Sequence, residues 1–234
     1  MKVVAVIPCL NEENYIGEVV NIALNHVNAI IVVDDGSADA TAHVARKAGA
    51  EVISHSAKQG AGAATRTGFQ AALKAGAYIV VTLDGDGQHN PDEIPALLAP
   101  ILDGKADLVI GSRFIEPATN MPLYRKFGID VITWLYNFGT NVNISDAQSG
   151  FRAHSRRLLE TIHITRNDFS FSIEVLVKAR KKKLIIAEVP VSCLYHAQGS
   201  TINPVDHGLS IAWSTAKLRF MTELFDRSKK VKLK

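Results

Sequence analysis

The chain has 234 residues and is 47% hydrophobic, enough for one large domain with a substantial core. A formal net charge of +3 gives no argument for nucleic acid as a partner, and much of it sits in Arg180-Lys181-Lys182-Lys183 and the tail from Arg227 to Lys234. No segment approaches the roughly 18 to 20 apolar residues that span a bilayer.

The first apolar run, residues 3–10, lacks a charged leader and a cleavage site and ends at Asn11-Glu12-Glu13, so it reads as a strand rather than a signal peptide. Further β-branched runs follow at Ala29–Val33, Glu51–Ser54, Tyr78–Leu83 and Asp107–Ile110. Helical patterns separate them at Tyr15–Val27, Asp39–Ala48, Ala61–Ala75 and Pro91–Leu102. Continuous apolar strands alternating with helices predict an α/β fold with a mostly parallel sheet covered on both faces. Right-handed crossovers then bring the C-terminal strand ends to one edge, where such sheets bind ligands. After residue 115 the alternation stops. Met121–Gly139, Arg156–His163 and Phe171–Lys183 read as helices around a polar loop, residues 145–152, that is expected to form a second wall of the site. Ile185–Tyr195 returns as strand, with Pro190 suggesting an edge or bulge. Leu209–Phe225 reads as an amphipathic helix before the basic tail. The expected organisation is therefore a domain over 1–208, with halves at 1–115 and 116–208, followed by the helix and tail at 209–234. Cys9 and Cys193 form no spacing motif, which favours reduced thiols and a cytoplasmic protein.

The run Val80–Leu83 ends in Asp84-Gly85-Asp86-Gly87-Gln88. Residues two apart on an extended chain face the same way, so Asp84 and Asp86 can share a divalent cation with the Gln88 amide. Oxygen donors suit a hard ion, Mg²⁺ or Mn²⁺, with open positions left for a diphosphate. In isolation the same residues also describe a solvated turn. Asp34-Asp35-Gly36-Ser37 closes the second strand, and one of its carboxylates can meet a base or ribose while Ser37 or Asp39 caps the next helix. Gly60-Ala61-Gly62 is not a dinucleotide fingerprint, because a third glycine is missing and it follows the third strand. It reads as a helix start that packs closely or lies near phosphate. His89 beside Asn90-Pro91 reads as a turn residue more readily than as a ligand. Arg113 ends a buried strand among acids, so it can pair with Asp84 or Asp86 or neutralise a diphosphate.

Taken together, Pro8-x-x-Asn11-Glu12, Val32-Val33-Asp34-Asp35-Gly36-Ser37, Gly60-x-Gly62-x-Ala64, Asp84-x-Asp86-x-Gln88-x-x-Pro91, Gly111-Ser112-Arg113 and Asp146-x-x-Ser149-Gly150-Phe151-Arg152 resemble family 2 glycosyltransferases of the GT-A fold. The resemblance runs in order from residue 3 to about residue 200, and is strongest to the dolichyl-phosphate mannose synthase and polyprenyl-phosphate glycosyltransferase branch. It implies a nucleotide-diphosphate sugar donor, UDP- or GDP-linked, a divalent metal and inversion at the anomeric carbon. Pro8, Leu10, Glu12, Val33 and Asp35 match the nucleoside pocket, while Asp84, Gly85, Asp86 and Gln88 match the metal and diphosphate site. Arg113 matches the diphosphate-facing arginine, and Asp146 the acid near the acceptor. Arg125, Ser149 and Arg152 are the expected acceptor-side residues. Leu10 stands where mannose synthases often carry an aromatic side chain, and a lysine frequent near residues 199–201 is absent.

The expected activity is transfer of one sugar to a polyprenyl phosphate at a membrane surface, with the 209–234 segment as a peripheral anchor or a membrane partner presenting the lipid. An ionised phosphate acceptor needs no strong base, whereas an alcohol would require Asp146 to remove a proton. A sugar or protein hydroxyl acceptor, or a silent nucleotide-sugar-binding subunit, are the alternatives on the same fold.

Overall fold

The computed structural model describes residues 1–115, 121, 123–140, 143–194 and 213–217. Val3–Cys9 (β1), Ala29–Asp34 (β2), Glu51–Ser54 (β3), Ile79–Thr82 (β4) and Leu108–Ser112 (β5) form where the β-branched runs fall. Between them lie Ile16–Ala23 (α1), Thr41–Lys47 (α2), Ala61–Lys74 (α3) and Ile94–Leu102 (α4). A 3-10 turn, Pro91–Glu93, leads into α4, with Asn90 accepting from the Asp92 amide and Pro91 in the first position. Leu123–Asn137 (α5), Arg156–Thr161 (α6), Phe171–Lys181 (α7) and Ile186–Pro190 (β7) match the later patterns.

One strand departs from the sequence reading, which ends a loop at Arg152 and assigns 153–155 to no element: Arg152–Ser155 (β6). All four residues are buried, and β6 runs antiparallel between β4 and β5. The seven strands lie in the order β3-β2-β1-β4-β6-β5-β7, with the remaining pairs parallel. Pro190 therefore ends an edge strand, where a missing N–H costs no ladder bond.

Alternate strand residues feed two cores. Val4, Val6, Val33, Val80 and Ile110 pack with Phe69 of α3, Tyr136 of α5 and Leu176 of α7 on one face. Ala5, Ile7, Val32, Val81 and Val109 pack with Val20 of α1 and Leu97 of α4 on the other. At the N-terminus of α3, Gly60 has φ +105°, and a Cβ there would lie 2.4 Å from the Asn167 carbonyl oxygen. The Gly62 amide donates to that oxygen at 2.7 Å. Close packing thus accounts for the Gly60-x-Gly62 spacing. Of the expected 209–225 helix, the residues at 213–217 are helical, and the others lie outside the described residues, as do His196, His207 and the segment around 199–201.

Candidate active site

The C-terminal ends of β1, β2, β4 and β5 converge on one edge, as the strand order requires. β4 delivers Leu83, fully buried, and the chain then turns through Asp84-Gly85-Asp86-Gly87. The turn is held from below. The Asp84 amide donates to His89 Nδ1 at 3.2 Å, which fixes that nitrogen as an acceptor, and the buried imidazole stacks on Phe151 with centroids 5.2 Å apart. Burial, reinforced by the nearby Arg113 charge, pushes His89 down to about 4, so it is neutral at physiological pH. The turn reading of His89 is not met: the residue is buried and forms an isolated antiparallel bridge with Cys193. Gln88 braces Asp86, donating from its backbone amide at 3.0 Å and from Nε2 at 2.7 Å. Only its carbonyl oxygen can then serve as a metal donor.

Negative charge accumulates here. The Asp84 side chain is 50% exposed at the floor of the cleft, yet its protein surroundings raise its pKa, an effect opposed by Arg113 and Arg152. Burial and repulsion from Asp86, Asp84 and Asp39 push Glu12 up to about 7. Gly150 closes over this floor: a Cβ there would sit 2.9 Å from both Asp84 oxygens.

Arg113, just beyond β5, is turned to the other wall. Its Nε donates to Asp146 Oδ2 at 2.7 Å and its Nη2 to Oδ1 at 2.9 Å, a bidentate fork rather than the expected pairing with Asp84 or Asp86. Asp146 also accepts from the Gln148 and Ser149 amides at 3.2 and 3.1 Å. Burial acts to raise its pKa, but the Arg113 charge and these bonds prevail and hold it below the usual carboxylate range. Asp146 has no exposed surface, and in this structure its carboxylate is engaged by Arg113.

Other expected residues are also reassigned. Arg152, 3% exposed, donates to the carbonyls of Ser149, Ala147 and Ser172 at 2.7, 2.7 and 2.9 Å, so it locks the 145–152 loop instead of meeting an acceptor. Ser149 is buried in the same loop, its Oγ accepting from the Phe151 amide. Val33 is fully buried in the core, which leaves its side chain no part in the pocket lining. Asp35 is 4% exposed and accepts from His55 Nδ1 at 2.7 Å and from the Gln59 and Gly60 amides at 2.9 and 2.7 Å. Those bonds take three of its roughly four acceptor positions and leave one for a base edge. Pro8 and Leu10 remain partly exposed at the end of β1, and Gly85 packs on Cys9. Arg125 lies on α5; its side chain is outside the described residues.

Glu188, on β7, is a site residue the sequence reading missed. Its carboxylate accepts from the Ser145 amide at 2.9 and 2.8 Å and from the Asp146 amide at 3.1 Å. The available signal was one acid inside the apolar run Ile185-Ile186-Ala187-Glu188-Val189.

Among the described residues, no group of three or more His, Cys, Asp or Glu side chains is placed to hold a metal by itself. Asp84 and Asp86 still fit a hard cation whose coordination a ligand's phosphate oxygens complete. Both are oxygen donors, and the raised pKa values of Asp84 and Glu12 mark charge that a cation would relieve.

An open, mostly parallel sheet ending in an acidic turn, with an arginine held opposite, is the GT-A architecture of glycosyltransferases. The family model "Glycosyl transferase family 2" matches residues 4–162, and the chain belongs to that family. It is 36% identical over 215 residues to the UDP-N-acetylglucosamine–dolichyl-phosphate N-acetylglucosaminyltransferase of Methanococcus voltae, covering 81% of this chain and 84% of that protein. The polyprenol monophosphomannose synthase of Mycolicibacterium smegmatis is 32% identical over 82% of this chain and 77% of its own length. Among solved structures, glucosyl-3-phosphoglycerate synthase from Mycobacterium tuberculosis in complex with Mn²⁺, UDP and glucosyl-3-phosphoglycerate superposes with a TM-score of 0.74. It is 22% identical, over 94% of this chain and 79% of that one, and shares the GT-A fold.

Proposed function

We propose that the chain transfers one sugar from a UDP- or GDP-sugar to a polyprenyl phosphate, in a single displacement with inversion. The observation that carries this reading is the acid pair Asp84 and Asp86 just beyond β4, across the cleft from an arginine held in a fixed fork. Relatives named for dolichyl-phosphate and polyprenol substrates support the acceptor class.

Asp84 and Asp86, with the Gln88 carbonyl, would hold Mg²⁺ or Mn²⁺, which when bound supplies positive charge beside the diphosphate. Pro8, Leu10 and Glu12 would line the nucleoside side. Arg113, rigid before the donor arrives, would present donors to the diphosphate oxygens and stabilise their growing charge as the sugar leaves. Arg125 on α5 would meet the acceptor phosphate. Asp146, occupied by Arg113, is in no position to deprotonate an alcohol, which favours an acceptor that arrives ionised over a sugar or protein hydroxyl. A lipid acceptor places the reaction at a membrane surface. The basic segment from Arg227 to Lys234 would act as an electrostatic attachment, or a membrane partner would present the lipid.

A panel of nucleotide sugars incubated with a short polyprenyl phosphate and Mn²⁺, followed by mass spectrometry, tests the reading. Transfer to the lipid phosphate that stops on chelation is the expected result. Turnover confined to hydroxyl acceptors, or donor binding with no transfer to anything, would overturn it.

A further inference from the structure

Arg113 can act as a rigid phosphate ligand only if Asp146 is itself held still, and Asp146 lies in a loop rather than in a strand or helix. What holds it is Glu188. In the β5–β7 ladder Glu188 is paired with Ile110, three residues before Arg113, so the carboxylate and the arginine hang from adjacent parallel strands. The Glu188 carboxylate grips the first corner of the loop by two consecutive amides, Ser145 and Asp146, and by the Ser145 hydroxyl at 3.1 Å to each oxygen. The Ser145 hydroxyl is in turn 2.6 Å from Ser112 Oγ, beside Arg113 in sequence, and Ser112 Oγ accepts from the Phe114 amide at 3.2 Å. Both sides of the Arg113–Asp146 fork are therefore tied to one carboxylate.

We infer that Glu188 is the positioning residue for Arg113: through Ser145 and the Asp146 backbone, it sets the angle at which the guanidinium meets the donor diphosphate. A half-buried acid on an edge strand needs no such partners for stability, since water is within reach. Both amides reach Oε1, at 2.9 and 3.1 Å, and the Ser145 amide also reaches Oε2 at 2.8 Å, so a carboxamide can keep one oxygen but must set its NH₂ against an N–H where the other oxygen stood. Glu188→Gln is therefore a near-isosteric change that disrupts the grip at one point.

The diphosphate role of Arg113 rests on the proposed function, so the test includes a readout that does not. In wild-type protein labelled with ¹⁵N, the Arg113 Nε–H, bonded to Asp146, should give a protected resonance, identified by its loss in Arg113→Lys. The Arg152 Nε–H, bonded to the Ser149 carbonyl at 2.7 Å, is the internal control. In Glu188→Gln the Arg113 signal should exchange rapidly while the Arg152 signal persists. Turnover should fall about tenfold or more with little change in donor KM, the size typical of outer partners that orient a charged group. Combining Glu188→Gln with Asp146→Asn should cost no more than Asp146→Asn alone, since both act through one fork. An unchanged Arg113 resonance would overturn the inference whatever the enzyme does, and so would loss of both signals, which would make Glu188 a general support of the fold. If the resonance behaves as expected but no nucleotide sugar is turned over, the positioning stands and the proposed function fails.

Discussion

The two walls of the cleft treat charge in opposite ways. On the wall built from β1, β2 and β4, burial makes Asp84 hold its proton more tightly, and burial together with repulsion from Asp86 and Asp84 does the same to Glu12. On the wall built from β5, β6, β7 and the 145–152 loop, every ion named here already has its partner: Arg113 with Asp146, Arg152 with three carbonyls, Glu188 with two amides. The first wall is poised to take up a cation and has little shape of its own. The second is neutral and rigid, so it can orient a ligand without reorganising. A transferase that must capture a charged donor and then aim it has use for both.

Substitutions on the first wall should have the largest effects. Asp86→Ala removes one of two metal carboxylates and the brace to Gln88, and should abolish Mn²⁺-dependent binding of UDP or GDP in calorimetry. Undiminished metal dependence would remove Asp86 from the metal site.

On the second wall, Arg113→Lys should reduce turnover about a hundredfold while the melting temperature moves by only a few degrees, because an ammonium cannot reproduce a bidentate fork on carboxylate and phosphate together. Normal turnover with a large drop in melting temperature would make Arg113 a structural ion-pair partner and erase the contrast between the walls.

Gly150 joins the two walls and should respond at an intermediate level. Gly150→Ala would push a methyl group to within 2.9 Å of both Asp84 oxygens, so metal-dependent donor binding should weaken by about tenfold, with Asp84 displaced. Affinity equal to wild type would show that the floor of the cleft has room to spare.

The smallest effect sharpens the electrostatic side of the comparison. Glu12 has a folded pKa of about 7 against 4.5, so the folded state binds the extra proton, and stability is lost as pH rises through about 7. His89 and His154 are depressed by burial to about 4 and about 3, so their contribution is complete above 6.5 and is lost as pH falls below it. Metal-free Glu12→Gln should therefore melt roughly 2 to 4 °C higher than wild type at pH 8, the shift expected for about 1 kcal/mol in a chain of this size, with solvent screening keeping it small. The gain should shrink several-fold at pH 5 and vanish only below 4.5. A gain of equal size at both values would mean that repulsion is not its source.

The first wall was largely legible in the sequence, because its strands are continuous apolar runs and its acids sit where the runs stop. Strand ends and the two-residue spacing of Asp84 and Asp86 are local properties. The second wall was not legible in the same way. Arg152-Ala153-His154-Ser155 does not look like a strand because three of its residues are polar, and only tertiary contacts reveal that carbonyls cap Arg152 and that His154 is buried and neutral. Asp146 looked like an acid awaiting a substrate since its partner, Arg113, is 33 residues away. Glu188 lies 42 residues beyond the amide of Asp146 that it holds. Val33 lies one residue before an acidic strand end, but β2 is covered on both faces, so its side chain is buried whichever way it points.

The central claim is that the acid pair on β4 is an unfinished cation site that a diphosphate completes. Electron paramagnetic resonance of Mn²⁺ titrated with the protein, alone and with UDP or GDP, measures this directly. The expected result is weak capture of Mn²⁺ by the protein alone and at least tenfold tighter capture with one of the nucleotides, the enhancement disappearing in Asp86→Ala. Contradiction would come from nucleotide diphosphate binding equally well with and without Mn²⁺, or from Mn²⁺ capture that Asp86→Ala leaves intact.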